Sequence, residues 1–383
     1  NGLDSEEAKT AITKKIGGRM TSTYKIKDWV FSRQRYWGEP IPIYFENDIP
    51  KAIETSDLPL LLADVDEYKP TAEGLAPLAR NPEWKVGEHP IEPNTMPGWA
   101  GSSWYFLRYM DPTNEDAFAS KEAMDYWQNV DLYIGGSEHA TGHLLYARFW
   151  QKFLFDKNVV PVDEFAKKLI NQGMILGTSA FVYRVEGQNK FLSKGLVSKE
   201  DVQEIHADVV FVNSSDELDV EAFKNWRPEF KDAEFVLEDG VYKVGRDVEK
   251  MSKSKYNVVN PDSICEDYGA DSLRLYEMFL GPLEQYKPWN TAGITGVHSF
   301  LKKLWKLYND DNGLKVTDAA PTKDNLKTLH KTIKKVEEDI ENFSFNTSVS
   351  TFMICVNELT AQKCTSRKIL EPLAILVSPY APH

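Results

Sequence analysis

Apolar and polar positions in the first hundred residues alternate between a helical spacing and short strand-like runs. Residues 3–16 follow a helical period and open with Asp4-Ser5-Glu6-Glu7, which favours a helix start. Prolines break the short apolar runs of residues 38–69, which predicts strands and loops. The Pro-rich stretch 70–97 is expected to be irregular and to lie over a surface.

The middle of the chain carries the pattern of a parallel α/β sheet. Residues 130–134 predict a short buried strand, Gly135-Gly136-Ser137 a turn, and residues 138–156 an apolar-periodic helix. Residues 169–176 predict another apolar strand. Strand, glycine turn and helix in this order are the repeating unit of such sheets, so the fold class expected for this part is α/β.

The second half changes to acidic and then to helical patterning. Residues 180–235 are mixed and acidic, which indicates a small inserted domain, and the turn Asp239-Gly240 predicts a hairpin over 236–243. Asp262 and Asp271 are expected to cap two helices. From Ser299 the helical period continues to the end, which predicts the start of a helical bundle.

The helical end is predicted in more detail. One apolar stripe contains Leu301, Leu304 and Trp305, and long helices are predicted over 325–342 and 346–359.

The chain starts at Asn1 without an initiator Met and stops just after an apolar helical pattern, so it is expected to be cut from a longer protein.

Composition narrows the class of protein. The 383 residues carry a net charge of −13, with thirteen acids against four bases over 199–239, so most of the acidic excess lies in one segment. That segment is expected to be a solvated face. No apolar run reaches membrane-spanning length and no signal peptide is visible. Three cysteines are too few for a disulfide framework and fit a reducing cytoplasm.

The segment Lys250-Met-Ser-Lys-Ser-Lys255 is the sharpest chemical feature. Its lysines, in an expected loop, predict a mobile cationic clamp that neutralises charge on a triphosphate, with Ser252 and Ser254 as donors. An arbitrary lysine-rich loop would be solvated surface. The residues that follow at set distances, Asn257, Asn260-Pro261-Asp262 and 268–274, favour the functional interpretation.

The glycine turn offers a second candidate site. Glycines at the carboxyl end of a strand let a ligand approach the backbone, and the next helix start offers free N–H groups. Glu138 is a candidate for ribose hydroxyls. His139 and His143 are four residues apart and are expected to share a helix face. Zinc binding by these histidines and a purely structural role for the turn are the alternatives.

Two aromatic segments complete the candidates. Residues 99–105 hold two tryptophans, two serines and a tyrosine, which can wall an apolar pocket with polar anchors. Residues 28–38 place Arg33 and Arg35 beside Tyr36 and Trp37, a combination suited to single-stranded RNA. An aromatic core corner and a structural stem with exposed arginines are the respective alternatives.

Taken in order, these segments resemble the class I aminoacyl-tRNA synthetases, and within that class the leucyl-tRNA synthetases of bacterial type. The matching pieces are Ser-Arg-Gln-Arg-Tyr-Trp-Gly at 32–38, Trp-Ala-Gly-Ser-Ser-Trp-Tyr at 99–105, Tyr-Ile-Gly-Gly-Ser-Glu-His-Ala at 133–140, His-Leu-Leu-Tyr at 143–146, Asn-Gln-Gly-Met-Ile-Leu at 171–176 and Lys-Met-Ser-Lys-Ser at 250–254. The resemblance implies a ligase that makes leucyl-adenylate from ATP and leucine and transfers leucine to tRNA(Leu), with Mg²⁺ accompanying ATP.

The resemblance also implies roles for individual residues. Lys250 and Lys253 would be catalytic. The ATP-binding set would be Gly135, Gly136, Glu138, Gln172, Met174, Met251, Ser252 and Lys253. The leucine-binding set would be Trp99, Ser102, Tyr105, His139 and His143. Arg33 and Arg35 would bind tRNA, and no protein-bound metal is expected.

The implied architecture is the C-terminal half of a Rossmann-type catalytic domain with a small inserted α+β domain and the start of an anticodon-binding bundle. The expected division is 1–40 for the exit from the editing-domain hinge and the stem, 41–179 for the partial catalytic core, 180–245 for the insertion, 246–298 for the lysine loop and stem-contact region, and 299–383 for the start of the bundle. A cytoplasmic monomer that does not bind membranes is expected.

The family pattern is incomplete in this chain. The first nucleotide motif, His-x-Gly-His, is missing, because His139-Ala-Thr-Gly-His143 has a different spacing. The editing domain and the cysteine pairs that hold zinc in some relatives are also missing. The chain alone is therefore expected not to form leucyl-adenylate. A stand-alone nucleotidyltransferase and a non-catalytic tRNA-binding scaffold are the alternative functions.

Overall fold

The computed structural model describes residues 2, 4–25, 27–197 and 202–383. Leu3 of the predicted first helix and residues 199–201 of the acidic segment therefore lie outside the described residues. The chain divides into two compact units. Unit 1 comprises Asn1–Val130 and His139–Lys167, and unit 2 comprises Asp131–Glu138 and Lys168–His383.

Unit 1 combines short helices with two small hairpins. Its elements are α1 (Ser5–Lys15), β1 (Ile43–Glu46), β2 (Ile49–Ala52), β3 (Lys85–Val86), β4 (His89–Pro90), α2 (Trp99–Ser102), α3 (Tyr105–Arg108), α4 (Lys121–Trp127) and α5 (His143–Asp156). The predicted first helix is confirmed as α1, because the Asp4 carboxylate accepts hydrogen bonds from the backbone N–H groups of Glu6 and Glu7. None of the residues of α1 is buried.

The Pro-rich stretch 70–97 contributes to a core, so the expectation that it lies over a surface is wrong. Leu78, Trp84 and Ile91 are buried together with Tyr36 and Ile53. The Trp84 indole N–H also donates to the Glu92 carbonyl at 3.1 Å. Leu78 comes from a 3₁₀ turn, and Trp84 and Ile91 flank the hairpin of β3 and β4. Short turns thus supply this core without a long regular element. The strands and loops expected over 38–69 are confirmed by β1 and β2.

The helix predicted over 138–156 begins five residues later than expected. A 3₁₀ turn covers Ser137–His139, and α5 starts only at His143. Gly142 separates the two with φ −119° and ψ −107°, which lies outside the helical region. Apolar periodicity continues across this break, which explains why the spacing alone missed it.

Unit 2 contains the larger sheet and most of the helices. Its elements are β5 (Tyr133–Gly136), β6 (Leu169–Gln172), β7 (Ile175–Val185), β8 (Lys190–Leu192), β9 (Val202–Ala207), α6 (Val220–Trp226), β10 (Glu234–Val236), β11 (Gly245–Lys250), α7 (Pro261–Tyr268), α8 (Ala270–Phe279), β12 (Lys287–Pro288), α9 (Thr291–Tyr308), β13 (Asn309–Asp310), β14 (Gly313–Leu314), α10 (Lys323–Glu341), α11 (Phe345–Ala361) and α12 (Arg367–Val377).

The strand predicted over 130–134 as buried is displaced and half exposed. β5 runs over 133–136 and pairs in parallel with β6, so that Gly135 and Gly136 are strand residues rather than a turn. Ile134 is 45% exposed. The strand predicted over 169–176 is interrupted at Gly173-Met174, where β6 ends and the much longer β7 begins.

β7 is the central strand of a six-stranded sheet. The hydrogen-bonded order is β10-β8-β7-β11, and β9 and β12 also pair with β7. Residues 180–244 form their own apolar core around Val182, Phe191, Phe223 and Tyr242. The predicted turn at Asp239-Gly240 is confirmed, because both residues have positive φ and Glu238 and Val241 exchange backbone hydrogen bonds.

The helices after residue 260 are present, but their caps differ from those expected. The Asn260 side chain, not Asp262, caps α7, and α8 starts after Gly269 without a side-chain cap. Pro261 occupies the first position of α7, so the cap lies two residues before Asp262. Asp271 instead accepts hydrogen bonds from the backbone and ring of His383.

The helical end is packed as a bundle. α9 begins before Ser299, and its buried stripe is Ile294, Val297, Phe300 and Leu307. Trp305, predicted on the apolar stripe, is instead 69% exposed. The two long helices predicted over 325–342 and 346–359 are confirmed by α10 and α11. Across the described ranges, no helix is long and apolar enough to cross a membrane.

Candidate active site

The lysine loop, residues 251–257, follows β11 in unit 2. β11 is antiparallel to β7 and places Lys250 opposite Leu176. Lys250 is thus the last strand residue rather than part of the loop. A 3₁₀ turn covers Lys253–Lys255, and Tyr256 ends it in the left-handed conformation with φ 52°. The loop is therefore a compact turn and not an extended arm.

Asn257 fixes this turn from inside. It is 1% exposed, and its side chain accepts from the Ser252 backbone N–H at 2.9 Å. The same amide donates to the Ser179 hydroxyl at 3.0 Å and to the Lys250 carbonyl at 3.3 Å. A Cβ at Gly177 would lie 2.5 Å from the Asn257 carbonyl oxygen, so glycine is needed for this close approach.

The sequence predicts that the lysines of this segment act together as one mobile clamp. In the structure, Lys255 differs from Lys250 and Lys253. Lys255 makes a 2.6 Å ion pair with Glu249, and its charge is therefore compensated within the protein. Lys250 and Lys253 are exposed, and neither has a carboxylate partner among the residues that the structure describes. These two lysines remain available to an anionic ligand.

The glycine rim, residues 135–138, lies at the carboxyl end of β5. Gly135 is opposite Asn171 and Gly136 is opposite Gln172 in the parallel pair β5–β6. A Cβ at Gly136 would overlap the carboxylate of Glu138, so glycine lets this side chain fold back over the strand end. The Ser137 and Tyr286 hydroxyls lie 2.9 Å apart. The rim therefore combines open backbone with a carboxylate, as a ribose site needs.

A chain segment that the sequence did not predict supports the link between β6 and β7. The Gly173 N–H donates to the Leu283 carbonyl at 2.9 Å, and the Lys287 N–H donates to the Met174 carbonyl at 3.1 Å. A Cβ at Gly173 would overlap the Gln285 carbonyl. Backbone hydrogen bonds from residues 283–287 thus hold Gln172 and Met174 in place.

Rim and lysine loop are connected through this link. Gly136 is opposite Gln172, four residues of chain lead to Leu176, and Leu176 is opposite Lys250. With about 5 Å for each pairing and about 3.5 Å for each residue, the Cα atoms of Gly136 and Lys250 lie within about 25 Å. The two segments thus belong to unit 2 and are linked through β6, β7 and β11.

The five residues expected to bind leucine are all in unit 1, and four of their rings form one cluster. The ring of Trp99 lies 5.9 Å from that of His139 and 6.1 Å from that of His143. Tyr105 lies 6.0 Å from His143. Ser102 ends α2 within hydrogen-bond range of the Trp99 carbonyl, at 3.4 Å. We call Trp99, Tyr105, His139 and His143 the ring cluster.

The two histidines do not share a helix face, so that expectation is wrong. His139 ends a 3₁₀ turn, and His143 is the first residue of α5. Their rings are nevertheless 6.3 Å apart and perpendicular. Burial, with repulsion from His139, lowers the pKa of His143. Across the described ranges, no group of three or more His, Cys, Asp or Glu side chains is placed to hold a metal.

The two arginines differ in their surroundings. The Arg33 backbone exchanges hydrogen bonds with Thr95, and its guanidinium donates to the carbonyls of Val30 and Ser32 at 2.8 Å. Arg35 is exposed and precedes Tyr36, whose buried ring lies 4.9 Å from the exposed ring of Trp37. Arg35 therefore presents its charge to solvent beside an aromatic face.

Sequence reasoning missed several residues that shape the site. Glu249, Ser179 and His206 surround the base of the lysine loop, and Tyr286 contacts the glycine rim. Glu249 on β11 is opposite Gly177 on β7, two residues before Ser179. Only the alternation of β7 and β11, read together, would have placed them on one face.

Two protein-family models match parts of the chain. Residues 7–131 and 222–285 match the family described as tRNA synthetases class I (I, L, M and V). Residues 323–383 match the family described as the anticodon-binding domain of tRNA ligase.

Curated relatives match the whole chain. The leucine–tRNA ligase of Flavobacterium johnsoniae is 64% identical, and that of Christiangramia forsetii is 61% identical. Each match covers 100% of this chain but only 42% and 44% of the relative. The chain thus spans less than half the length of these curated relatives.

A solved structure shows the same fold. The agnB2 LeuRS of Agrobacterium radiobacter K84, in a ternary complex with tRNA and LeuAMS, superposes with a TM-score of 0.64 at 26% identity. The superposition covers 99% of this chain and 43% of that one. The expected fold class, a partial class I synthetase α/β domain followed by helices, is confirmed.

Proposed function

We propose that this chain, which belongs to the class I tRNA synthetases, is part of a leucine–tRNA ligase that activates leucine with ATP and transfers it to tRNA(Leu). The observation that carries the proposal is the 64% identity to such a ligase over the entire chain. The rim and the lysine loop, both in unit 2 and linked through β6, β7 and β11, support it with a place for ATP.

The residues proposed to bind ATP are in unit 2. Gly135, Gly136, Glu138, Gln172 and Met174 would hold adenosine, since the glycines leave the backbone open and Glu138 can accept from ribose hydroxyls. Met251, Ser252 and Lys253 would lie along the triphosphate. ATP would arrive as its magnesium complex, so the metal is counted with the substrate.

Lys253 and Lys250 would act on the reacting phosphate. The leucine carboxylate attacks the α-phosphorus, a bond to leucine forms, and pyrophosphate leaves with the displaced electron pair. Negative charge increases on the phosphate oxygens in the transition state. A fixed cation at that point lowers the barrier more than it stabilises bound ATP. Lys253 on the turn of the lysine loop and Lys250 at the end of β11 are both exposed, which suits this role.

The residues proposed to bind leucine are in unit 1. The ring cluster and Ser102 would line a pocket for an apolar side chain with a few polar groups for orientation. A lowered pKa keeps His143 neutral near pH 7, which avoids placing a charge against the leucine side chain. An uncharged wall favours leucine over polar amino acids.

Binding of tRNA would involve both units. Arg35, exposed beside Trp37, and Arg33 would contact the acceptor end. Residues 299–383 would begin the anticodon-side bundle, as the match over 323–383 supports.

We propose the domain division given from the sequence, with 1–40, 41–179, 180–245, 246–298 and 299–383 as its parts. The proposed protein acts as a monomer in the cytoplasm, where its three free cysteines stay reduced.

The test is ATP–pyrophosphate exchange by the full-length ligase that contains this chain, measured with leucine, isoleucine, valine and methionine. We expect exchange that depends on leucine and is weak with the other three amino acids. The isolated chain is expected to stay at background. Equal exchange with all four amino acids, or none with leucine, would overturn the proposal.

A further inference from the structure

Glu249 joins three separate segments beneath the lysine loop. Its carboxylate accepts hydrogen bonds from the Lys255 ammonium at 2.6 Å, the Ser179 hydroxyl at 2.6 Å and the His206 Nε2 at 2.9 Å. These donors come from the loop, from β7 and from β9. A carboxylate with three donors from three segments is a fixed structural junction rather than a solvated surface charge.

A second path runs from the same junction to the other end of the loop. Ser179, which is fully buried, accepts a hydrogen bond from the Asn257 amide, and Asn257 accepts from the Ser252 N–H. Glu249 therefore reaches the loop at both Ser252 and Lys255. Lys253 lies between these two anchored positions, so its direction depends on them.

The charges of the junction support this arrangement. Hydrogen bonding by Lys255, and then by Ser179 and His206, lowers the pKa of Glu249 to about 2. Glu249 is therefore ionised at every pH at which the protein works, and it compensates the charge of Lys255. The charge of Lys253 is left for the ligand, which separates the anchoring lysine from the acting one.

The inserted segment takes part through His206. β9 pairs with β7 over six residues, and the His206 ring packs on Phe181 at 4.6 Å. Since β9 belongs to residues 180–245, the donor to Glu249 comes from the insertion itself. This contact gives the acidic insertion a physical connection to the lysine loop.

We propose that Glu249 is a positioning residue that orients Lys253 by anchoring the lysine loop at Lys255 and Ser252, and that His206 makes the inserted segment part of this support. The inference rests on the proposed function only for the chemistry that Lys253 performs. Anchoring of the loop is a property of this chain alone and is tested separately.

The first experiment measures backbone hydrogen exchange of residues 251–257 in this chain. Glu249→Gln keeps the shape of the side chain but removes the charge that holds Lys255. We expect exchange in the loop to become about tenfold faster, since hydrogen bonds to charged groups are the strong ones. Glu204→Gln, which removes an exposed carboxylate on β9, is the matched control and should leave the loop unchanged. Equal loop exchange in Glu249→Gln and the unmodified chain would overturn the anchoring.

The second experiment measures pyrophosphate exchange by the full-length ligase. Glu249→Gln should lower kcat between about tenfold and about a hundredfold, because a misdirected catalytic group loses rate steeply. The KM for leucine should stay unchanged, because leucine is assigned to unit 1. An inactive unmodified ligase would overturn the proposed function, whereas an active one that is indifferent to Glu249→Gln would overturn the positioning role.

Two variants of His206 test the role of the insertion. His206→Ala removes the donor to Glu249, whereas His206→Gln keeps an N–H donor on a side chain of similar reach. We expect faster loop exchange and lower kcat with alanine and recovery of both with glutamine. If both variants lose activity equally while loop exchange is unchanged, the insertion does not support the loop.

Discussion

The lysine loop and the ring cluster are held by different forces. Hydrogen bonds to the buried Asn257 and the half-buried Glu249 hold the loop. The ring cluster is an array of aromatic and imidazole contacts around Trp99. Hydrogen bonds fix where a charge points, whereas aromatic rings in contact supply a large apolar surface of defined shape. The first suits a group that acts on a phosphate, and the second suits recognition of an apolar side chain.

Loss of Lys253 is expected to have the largest effect. In the full-length ligase, Lys253→Ala should lower kcat for pyrophosphate exchange by about a hundredfold to a thousandfold, because a charge aimed at the transition state is removed. Lys243→Ala is the matched control, since Lys243 pairs with Glu217 inside the insertion. A loss of activity in both variants would point to general damage and not to catalysis by Lys253.

Truncation of Trp99 should act on leucine and not on ATP. Trp99→Ala opens the ring cluster, and the KM for leucine in the full-length ligase should rise by roughly tenfold or more. The KM for ATP should change little, because the ATP set lies in unit 2. Steady-state kinetics in both substrates check this. Equal increases in both KM values would remove the distinction between the two regions.

Sequence periodicity predicted the helical end well and the strand ends poorly. α10 and α11 have long stretches in which one apolar face repeats, and their bounds agree with the prediction within two residues. β5 is short and half exposed, so apolar content misplaced it by three residues at its start. Glycines 135 and 136 continue the strand because β6 offers backbone partners, and such pairing is not encoded locally.

The candidate site was predictable where a motif names the residues. The lysine loop, the glycine rim and the residues of the ring cluster were all identified from the sequence, and the structure brings each of these groups together within its own unit. The supporting residues were not predictable, because Ser179, His206 and Glu249 are 27 to 70 positions apart and meet only across strands β7, β9 and β11. The motifs indicate which residues are proposed to react, whereas the strand pairing of the sheet determines which residues support them.

Acid should weaken the lysine loop through Glu249. Its pKa is lowered to about 2, below the ordinary value, so its ionised form stabilises the fold at neutral pH. That contribution is lost as pH falls from about 5 towards 2, and after solvent screening it amounts to about 1–2 kcal/mol. Urea unfolding of this chain across that range should show a smaller pH dependence for Glu249→Gln than for Glu204→Gln. An identical dependence would mean that Glu249 is no better stabilised than an exposed carboxylate.

The ring cluster should respond to milder acid, and the effect should be the smallest of the four. Burial lowers the pKa of His143, so the folded state prefers neutral imidazole and stability declines as pH falls below about 6.5. The melting temperature should fall by only about 1–3 °C between pH 7 and pH 5.5, and His143→Phe should remove that decline. NMR titration of the imidazole C–H signals should give His143 a lower midpoint than a histidine in an unstructured peptide. A midpoint for His143 at or above that of the peptide histidine would mean that the ring cluster accepts a charge as readily as solvent does, and the separation of a neutral leucine wall from a charged phosphate loop would no longer hold.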